Sequence, residues 1–482
     1  MPGPRGPKLF LGHKIKRLRK QNELSQAALA RELEISPSYL NQIESNQRPL
    51  TLPVVMRVCT HFDVDIHVFA EDEDTRLLAD LKDAVADPSF GGSAISMGEL
   101  RNVTGASPEL VRRVLALYQA YQKMHERAES LADSLSDGDS AEMPAGGQYP
   151  YEQVRDFFYY RNNYFGPLDE AAEALWDEQG FPLGDMQSAL TEYLKKNLDV
   201  RVKTVADDDP DSGMRRFDAE NGTLYLSARL NGPSRTFHLA HQVALLNQRD
   251  TIEALIDEAG FPSDDAQAIC RVGLANYFAG ALVLPYGPFA QQARTLRHDI
   301  EQLQSQFSAS FEQVCHRLST LQRPKARGIP FYFVRVDSAG NITKRHSATR
   351  FRFARFGGAC PLWNVHEAFA QPGKILVQLA RMPDEVSYIS VARSIAKPGG
   401  AYLRPARRFA IGFGCEASYA KDIVYAAGLD LRDKEAAVPI GVNCRICERS
   451  DCQQRAFPPI GRRISVDVSR RSFVPYLFDK ED

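Results

Sequence analysis

The chain has 482 residues, is 44% hydrophobic and 25% charged, and carries a formal net charge of −2. Those values belong to globular protein and exclude a disordered, collagen-like or disulfide-scaffold chain. No apolar run reaches the roughly 18 residues of a membrane span and the basic N-terminus lacks an apolar signal core, so a cytoplasmic chain with reduced cysteines is expected.

Charge is unevenly spread. Residues 1–60 hold ten Lys and Arg against four acids, which makes a basic head on a near-neutral body. Residues 8–70 read as an all-α bundle. Ile15 and Leu18 are apolar at helical spacing, and Ser25 stands as N-cap before Ala28, Leu29 and Leu33. A tight turn at Glu34 and Ile35 follows, then Ser36-Pro37 as cap and first helical residue ahead of Tyr39, Leu40 and Ile43. Leu52, Val55, Val58 and Phe62 mark a fourth helix, and Ile66 to Phe69 close the bundle. Two short helices joined by a three- to four-residue turn form a helix-turn-helix. The run LSQAALARELEISPSYLNQIESNQRP resembles the Xre/Cro-type DNA-binding family. That resemblance implies double-stranded operator DNA as partner. It places Ser36, Ser38, Tyr39 and Gln42 toward the bases, and Gln26 and Arg48 on phosphates.

Residues 75–132 read as a helical connector, with Ser107-Pro108-Glu109 opening a helix that runs to about Ala132. Val111, Val114, Leu115, Tyr118 and Tyr121 form a stripe that suits either a second copy or ordinary core. A homodimer or higher homo-oligomer is expected, because one helix-turn-helix covers a single half-site. Residues 133–149 are rich in Gly, Ser and Asp and read as a flexible linker.

A mixed α/β domain is expected over 150–322. It opens on the aromatic helix YEQVRDFFYYRNNYF, and Val200 to Val205 alternate like a strand. Phe217 and Thr223–Leu226 flank Asn221-Gly222 as a hairpin, and helices follow near 234–246 and from 263 to about 321. The segment RTFHLAHQVALL resembles the H-E-x-x-H helix of ImmA/IrrE metallopeptidases, in which two His at i and i+4 grip zinc and the Glu takes a proton from its water. Here the five residues are His241-Gln242-Val243-Ala244-Leu245. Leucine cannot ligate a metal and glutamine cannot act as base. Gly273-Leu274 stands where the family's second helix carries an acidic ligand. A peptidase fold without peptidase chemistry is expected, in which His238 and His241 either meet a ligand or are satisfied locally.

Strands and turns dominate from 329 to 410, so 323–482 reads as a mostly β domain, and the whole as a multidomain α+β protein. Near its end, GVNCRICERSDCQQRAFPPIG places Cys444, Cys447 and Cys452 in a C-x2-C-x4-C pattern beside Arg445, Arg449 and Arg455. Two thiolates two residues apart converge on one ion, and a fourth ligand must come from elsewhere. Cys360 is favoured over Cys415. A [4Fe–4S] cluster and a structural zinc both take four cysteines, and spacing does not separate them. Cys59, Cys270 and Cys315 lie in apolar helical patterns and read as core.

The combination of these motifs with PYEQVRDFFYYRNNYF and ACPLWNVHEAF resembles the short-chain fatty acyl-CoA regulators over nearly the whole chain. The resemblance implies control of genes for propionate- or acetate-type assimilation, a short-chain acyl-CoA as effector, and an iron–sulfur cluster in some members. Such an effector needs cations for its phosphates and aromatic faces for its adenine. Arg155, Phe158, Tyr160, Arg161 and Tyr164, with Arg201 and Lys203, offer those types. An iron–sulfur redox sensor and a zinc peptidase acting on a repressor are the competing readings.

Overall fold

In the computed structural model the described residues run, with short gaps, over 12–62, 77–121, 150–397 and 406–478. They divide into two compact units, 1–148 and 149–482.

The first unit begins with α1 (Gly12–Gln21), α2 (Gln26–Glu32), α3 (Pro37–Glu44) and α4 (Leu52–Phe62), followed by α5 (Met97–Ala106). The caps are those the sequence calls for: Ser25 Oγ accepts from the Ala28 N–H and Ser36 Oγ from the Tyr39 N–H, each at 3.1 Å. Glu34, at φ 52°, turns the chain between them. Ile15, Leu29, Leu33, Leu40, Ile43 and Val58 form the core of this bundle. Arg19 donates to Glu44 from Nε at 2.7 Å and Nη2 at 2.9 Å, which ties α1 to α3 through a buried carboxylate. Residues 108–118 are helical, but Val111 and Leu115 are buried beside Leu77, Leu81 and Leu100. That part of the stripe is therefore core within the chain, whereas Val114 stays exposed. The closing segment Ile66–Phe69, the far end of the connector helix and the linker 133–149 lie outside the described residues.

The second unit opens with α6 (Pro150–Tyr160), α7 (Gly166–Gln179) and α8 (Met186–Asn197). A three-stranded sheet follows: β1 (Arg201–Val205) runs parallel to β3 (Thr223–Ser227), and β2 (Arg215–Asp218) pairs antiparallel with β3. The β2–β3 turn is the expected hairpin, and the Asp218 carboxylate accepts from the Asn221 N–H and Nδ2. The peptidase-like segment forms α9 (Gly232–Asn247), capped by Asn231, and is followed by α10 (Arg249–Ala259). Beside α9 lies the 20-residue α11 (Asp264–Val283). Then come α12 (Tyr286–Thr295), α13 (Ile300–Phe307) and α14 (Phe311–Ser319), the last with a Ser310/Gln313 capping box.

A six-stranded sheet completes the unit in the order β5-β4-β8-β7-β6-β9, from β4 (Tyr332–Asp337), β5 (Ile342–Ser347), β6 (Leu376–Arg381), β7 (Ser387–Lys397), β8 (Arg407–Glu416) and β9 (Val438–Pro439). Its two faces separate by strand alternation. Phe333, Val391 and Phe413 join the core that holds Leu239 and Phe278 of the helices, while Tyr332, Val334 and Ala392 pack with Trp363 and Phe351 behind it. The middle domain and the β domain thus share one core rather than forming separate bodies. No single helix among the described residues is long and apolar enough to cross a membrane. The pair α11 and α12, bent by 62°, reaches that length together, and most of its apolar residues belong to the core, Ile269 and Val272 excepted.

Candidate functional site

At the head of the molecule, the N-terminus of α3 presents Ser36 and Ser38 to solvent, with Tyr39 and Gln42 half-buried behind them. Ser36 caps its own helix. The exposed Arg48 guanidinium lies 5.5 Å from the Tyr39 ring centroid. Gln26 donates to Glu44 at 3.0 Å, so it also braces α2 on α3. All six residues expected to touch DNA therefore belong to the helix-turn-helix, and two of them also hold it together.

In the second unit the peptidase-like centre is bonded to itself. His241 Nδ1 lies 2.9 Å from Asn276 Oδ1 on α11, and Arg215 of β2 donates to Gln242 Oε1 at 2.6 Å. Burial, and then the charge of Arg215, lowers the His238 and His241 imidazoles to about 4 from the ordinary 6.5. Both rings are neutral at physiological pH. Asn276, one helical turn beyond Gly273, is the partner that the sequence comparison with a zinc site missed. The signal was its spacing onto the face that meets α9.

Above this centre opens a cavity of about 1470 Å³, walled by α6, α9, α11, α14 and the sheet. Among the described residues, nine cationic side chains line it (Arg155, Arg229, Arg317, Arg335, Lys344, Arg345, Arg393, Lys397 and Arg407), against one carboxylate, Glu312. Glu312 pairs with Arg335 at 2.8 Å and Lys397 at 3.1 Å. Arg317 is already matched by Asp169 at 2.7 Å, with both side chains buried. Arg155 also meets Asp156 at 3.2 Å and Arg393 meets Glu301 at 3.3 Å, and a positive surplus remains on the wall. Burial draws the Lys344 ammonium down to about 8, with Arg335 and Lys397 pushing the same way and Glu312 opposing. Also on the wall, His316 Nε2 faces His346 Nε2 at 3.1 Å, and His346 Nδ1 meets Asn163 Oδ1 at 2.9 Å. Because Asn163 Nδ2 donates to the Ser347 carbonyl, its Oδ1 must accept, and His346 carries its proton on Nδ1. Burial holds both imidazoles well below their ordinary value.

Of the residues the sequence offered for an effector, Arg155 and Phe158 line this cavity. Arg161 pairs with Glu258 at 2.6 Å and is not on its wall, and Tyr164 packs against Tyr286. Arg201 and Lys203 are exposed on β1. The Tyr160 side chain lies outside the described residues. The cations contributed by β4, β5, β7 and β8 were not singled out from sequence. Their signal was there in ITKRHS, where Lys344 and His346 alternate onto one face.

The cysteines gather at a second place. Cys360, Cys444, Cys447 and Cys452 all border one small void of about 10 Å³, together with Gly441, Arg449 and Arg455. Cys415 is instead buried on β8 in the main core. Cys270 and Cys315 are core residues, and Cys59 is half-buried against the head bundle. Arg455 donates to the carbonyls of Cys444 at 2.9 Å and Cys447 at 3.1 Å, and so shapes the loop by its backbone. The Ala456 N–H points at Cys444 Sγ at 3.4 Å. A Cβ on Gly441 would sit 2.8 Å from Cys447 Sγ, so only glycine fits beside that sulfur. Among the described residues no group of three or more His, Cys, Asp or Glu stands at metal-holding separation. The four thiols surround one void without converging on a point. The donor set suits a four-thiolate group, and the void as it stands has room for about one water-sized body.

The sequence matches three family profiles: helix-turn-helix over residues 15–69, IrrE N-terminal-like domain over 195–319, and short-chain fatty acyl coenzyme A regulator, C-terminal, over 320–476. It is 47% identical to the propionyl-CoA carboxylase regulator of Cereibacter sphaeroides over 97% of this chain and 98% of that protein. It is 43% identical to the HTH-type transcriptional regulator PrpR of Mycobacterium tuberculosis over 97% of this chain and 95% of that one. The regulator RamB of the same organism is 44% identical, with 98% and 99% covered. A solved Mycobacterium tuberculosis transcriptional regulator superposes with a TM-score of 0.66 at 47% identity, covering 68% of this chain and all of that one. The chain belongs to the short-chain fatty acyl-coenzyme A regulators, a family of helix-turn-helix transcription regulators.

Proposed function

We propose that the chain is a cytoplasmic transcription regulator whose cavity takes a short-chain acyl-CoA, and that occupancy alters the affinity of the helix-turn-helix for its operator. The observation that carries this reading is the cavity wall, with nine cations to one carboxylate among the described residues, over a volume of about 1470 Å³. That exceeds the roughly 300–1,000 Å³ of most small-molecule pockets and suits a long polyanion. Phe158, Ile269 and Val272 supply apolar surface at the same cavity. The names of the relatives, which include a propionyl-CoA carboxylase regulator, point to the same chemistry. A homodimer would meet two half-sites of an operator. The chain is read as no enzyme, because Leu245 and Gln242 replace the ligand and base of a zinc peptidase, and Gln242 is held by Arg215.

Calorimetric titration of the full chain with CoA and propionyl-CoA tests the cavity. Saturable binding is expected, weakened at least tenfold in Lys344→Met. Anion binding favours the charged form of Lys344, so its pKa rises on binding and a proton is taken up. Affinity should therefore fall as pH rises through about 8. No heat with either compound, or binding indifferent to both changes, would contradict the reading.

A second assignment concerns the thiols. Cys360, Cys444, Cys447 and Cys452 would hold a [4Fe–4S] cluster or a zinc ion, supported by their shared void and the N–H aimed at Cys444 Sγ. A cluster would supply redox sensitivity and zinc would supply structure alone. After anaerobic purification, metal analysis is expected to give stoichiometric iron or zinc that Cys360→Ser loses and Cys415→Ser retains. Equal retention in both variants would remove Cys360 from the set.

A further inference from the structure

The face that α11 turns to the cavity is built from uncharged residues, among them Gly273, Asn276 and Gly280 at spacing i, i+3 and i+7. Glycine inside a helix is unfavourable relative to alanine, so two on one face ask for a reason. The two have different surroundings. A Cβ on Gly273 would meet the Phe158 ring at 3.0 Å and 3.2 Å, so that glycine makes room for an aromatic side chain. A Cβ on Gly280 would meet nothing within 4 Å, although the residue is half-buried and lies on the cavity wall. The space beside Gly280 is therefore part of the cavity interior.

The cavity is also segregated by charge. Six cations (Arg335, Lys344, Arg345, Arg393, Lys397 and Arg407) come from the six-stranded sheet; the helical side adds Arg155, Arg229 and Arg317, of which Arg155 is paired with Asp156 and Arg317 with Asp169, and α11 contributes no charge. Where α14 faces the cavity beyond Glu312, it offers His316, hydrogen-bonded to His346 with both rings neutral, and Arg317, whose charge Asp169 matches. A ligand with phosphates at one end and an uncharged acyl thioester at the other would place the phosphates on the sheet and the thioester toward α11. We propose that the slot beside Gly280 receives the acyl group, and that the size of the side chain at position 280 sets the acyl length accepted. This rests on the acyl-CoA reading of the cavity.

The test is calorimetric titration of the full-length wild type, Gly280→Ala and Gly280→Leu with CoA, acetyl-CoA, propionyl-CoA and butyryl-CoA. Alanine at an open helical position keeps or raises the melting temperature, so it preserves the test if leucine impairs folding. CoA is expected to keep its affinity in both variants. Butyryl-CoA should weaken by about tenfold or more in Gly280→Leu, propionyl-CoA by less, and acetyl-CoA least, with the same order in smaller steps for alanine. Equal loss for all four compounds, or no loss for any, would overturn the slot while leaving the cavity reading intact. A wild type that binds none of the four would overturn both.

Discussion

Replacing Arg317 by methionine is expected to cost the larger unit about 3–5 kcal/mol of stability, the loss seen when one partner of a buried ion pair is removed. Arg317 and Asp169 are 2% and 0% exposed, and Nη2 meets Oδ1 at 2.7 Å. The remaining donors are also used: Nε reaches the Leu284 carbonyl at 2.8 Å and Nη1 the Thr320 hydroxyl at 3.2 Å. Tyr277 donates its hydroxyl to Asp169 Oδ2 at 3.1 Å. The pair therefore joins α7 to α11 and α14, two of the helices that wall the cavity. Methionine fills much of the volume but leaves the carboxylate buried without its cation. Removing both charges, as in Arg317→Met with Asp169→Leu, should cost clearly less than the sum of the two single losses. Chemical denaturation of the full chain measures this. A loss below about 1 kcal/mol for Arg317→Met would show that the pair does not hold these helices together.

Operator binding should fail when Gln42 and Arg48 are both replaced by alanine. Arg48 is exposed and Gln42 half-buried, both outside the core of Ile15, Leu29, Leu40 and Ile43, so the head should remain folded. A lost base contact costs about 1–3 kcal/mol of discrimination, and a lost phosphate contact lowers affinity for all sequences and reduces the salt slope by about one. Together they predict a drop of about a hundredfold in operator affinity. Competition binding at two salt concentrations separates the two shares. An unchanged affinity would move the DNA contact to another surface.

The head was legible because its determinants are local. Ser25 and Ser36 cap the helices they precede, and the apolar spacing of Leu29, Leu33, Leu40 and Ile43 is the core itself. The departure from the H-E-x-x-H pattern at Gln242 and Leu245 was equally plain, because a residue of a motif either is or is not present in sequence. The parallel pairing of β1 with β3 was not legible, since it joins strands across the intervening β2 and leaves no turn signature. The cavity was legible only at its α6 edge. Its charged wall is made by strand alternation in β4, β5, β7 and β8, and the face on which Lys344 or Arg393 lands depends on how the sheet docks against the helices. The connector stripe shows the same limit: Val111 and Val114 fit one helical pattern, yet one is buried and the other exposed because the neighbours that cover Val111 come from elsewhere in the chain. Cys360 and the three cysteines near the C-terminus are about eighty residues apart, and only folding brings them to one void.

Regulation by a ligand in the larger unit requires coupling to the head: the ligand must bind unequally to the states with high and low DNA affinity. The most direct measurement is the dissociation constant for a defined operator fragment, determined with the full chain at zero and saturating propionyl-CoA. A shift of fivefold or more in either direction is predicted for the wild type, and none for the Lys344→Met, Lys397→Met double variant. An operator affinity in the wild type that stays the same at every propionyl-CoA concentration, while calorimetry shows the cavity filled, would contradict it.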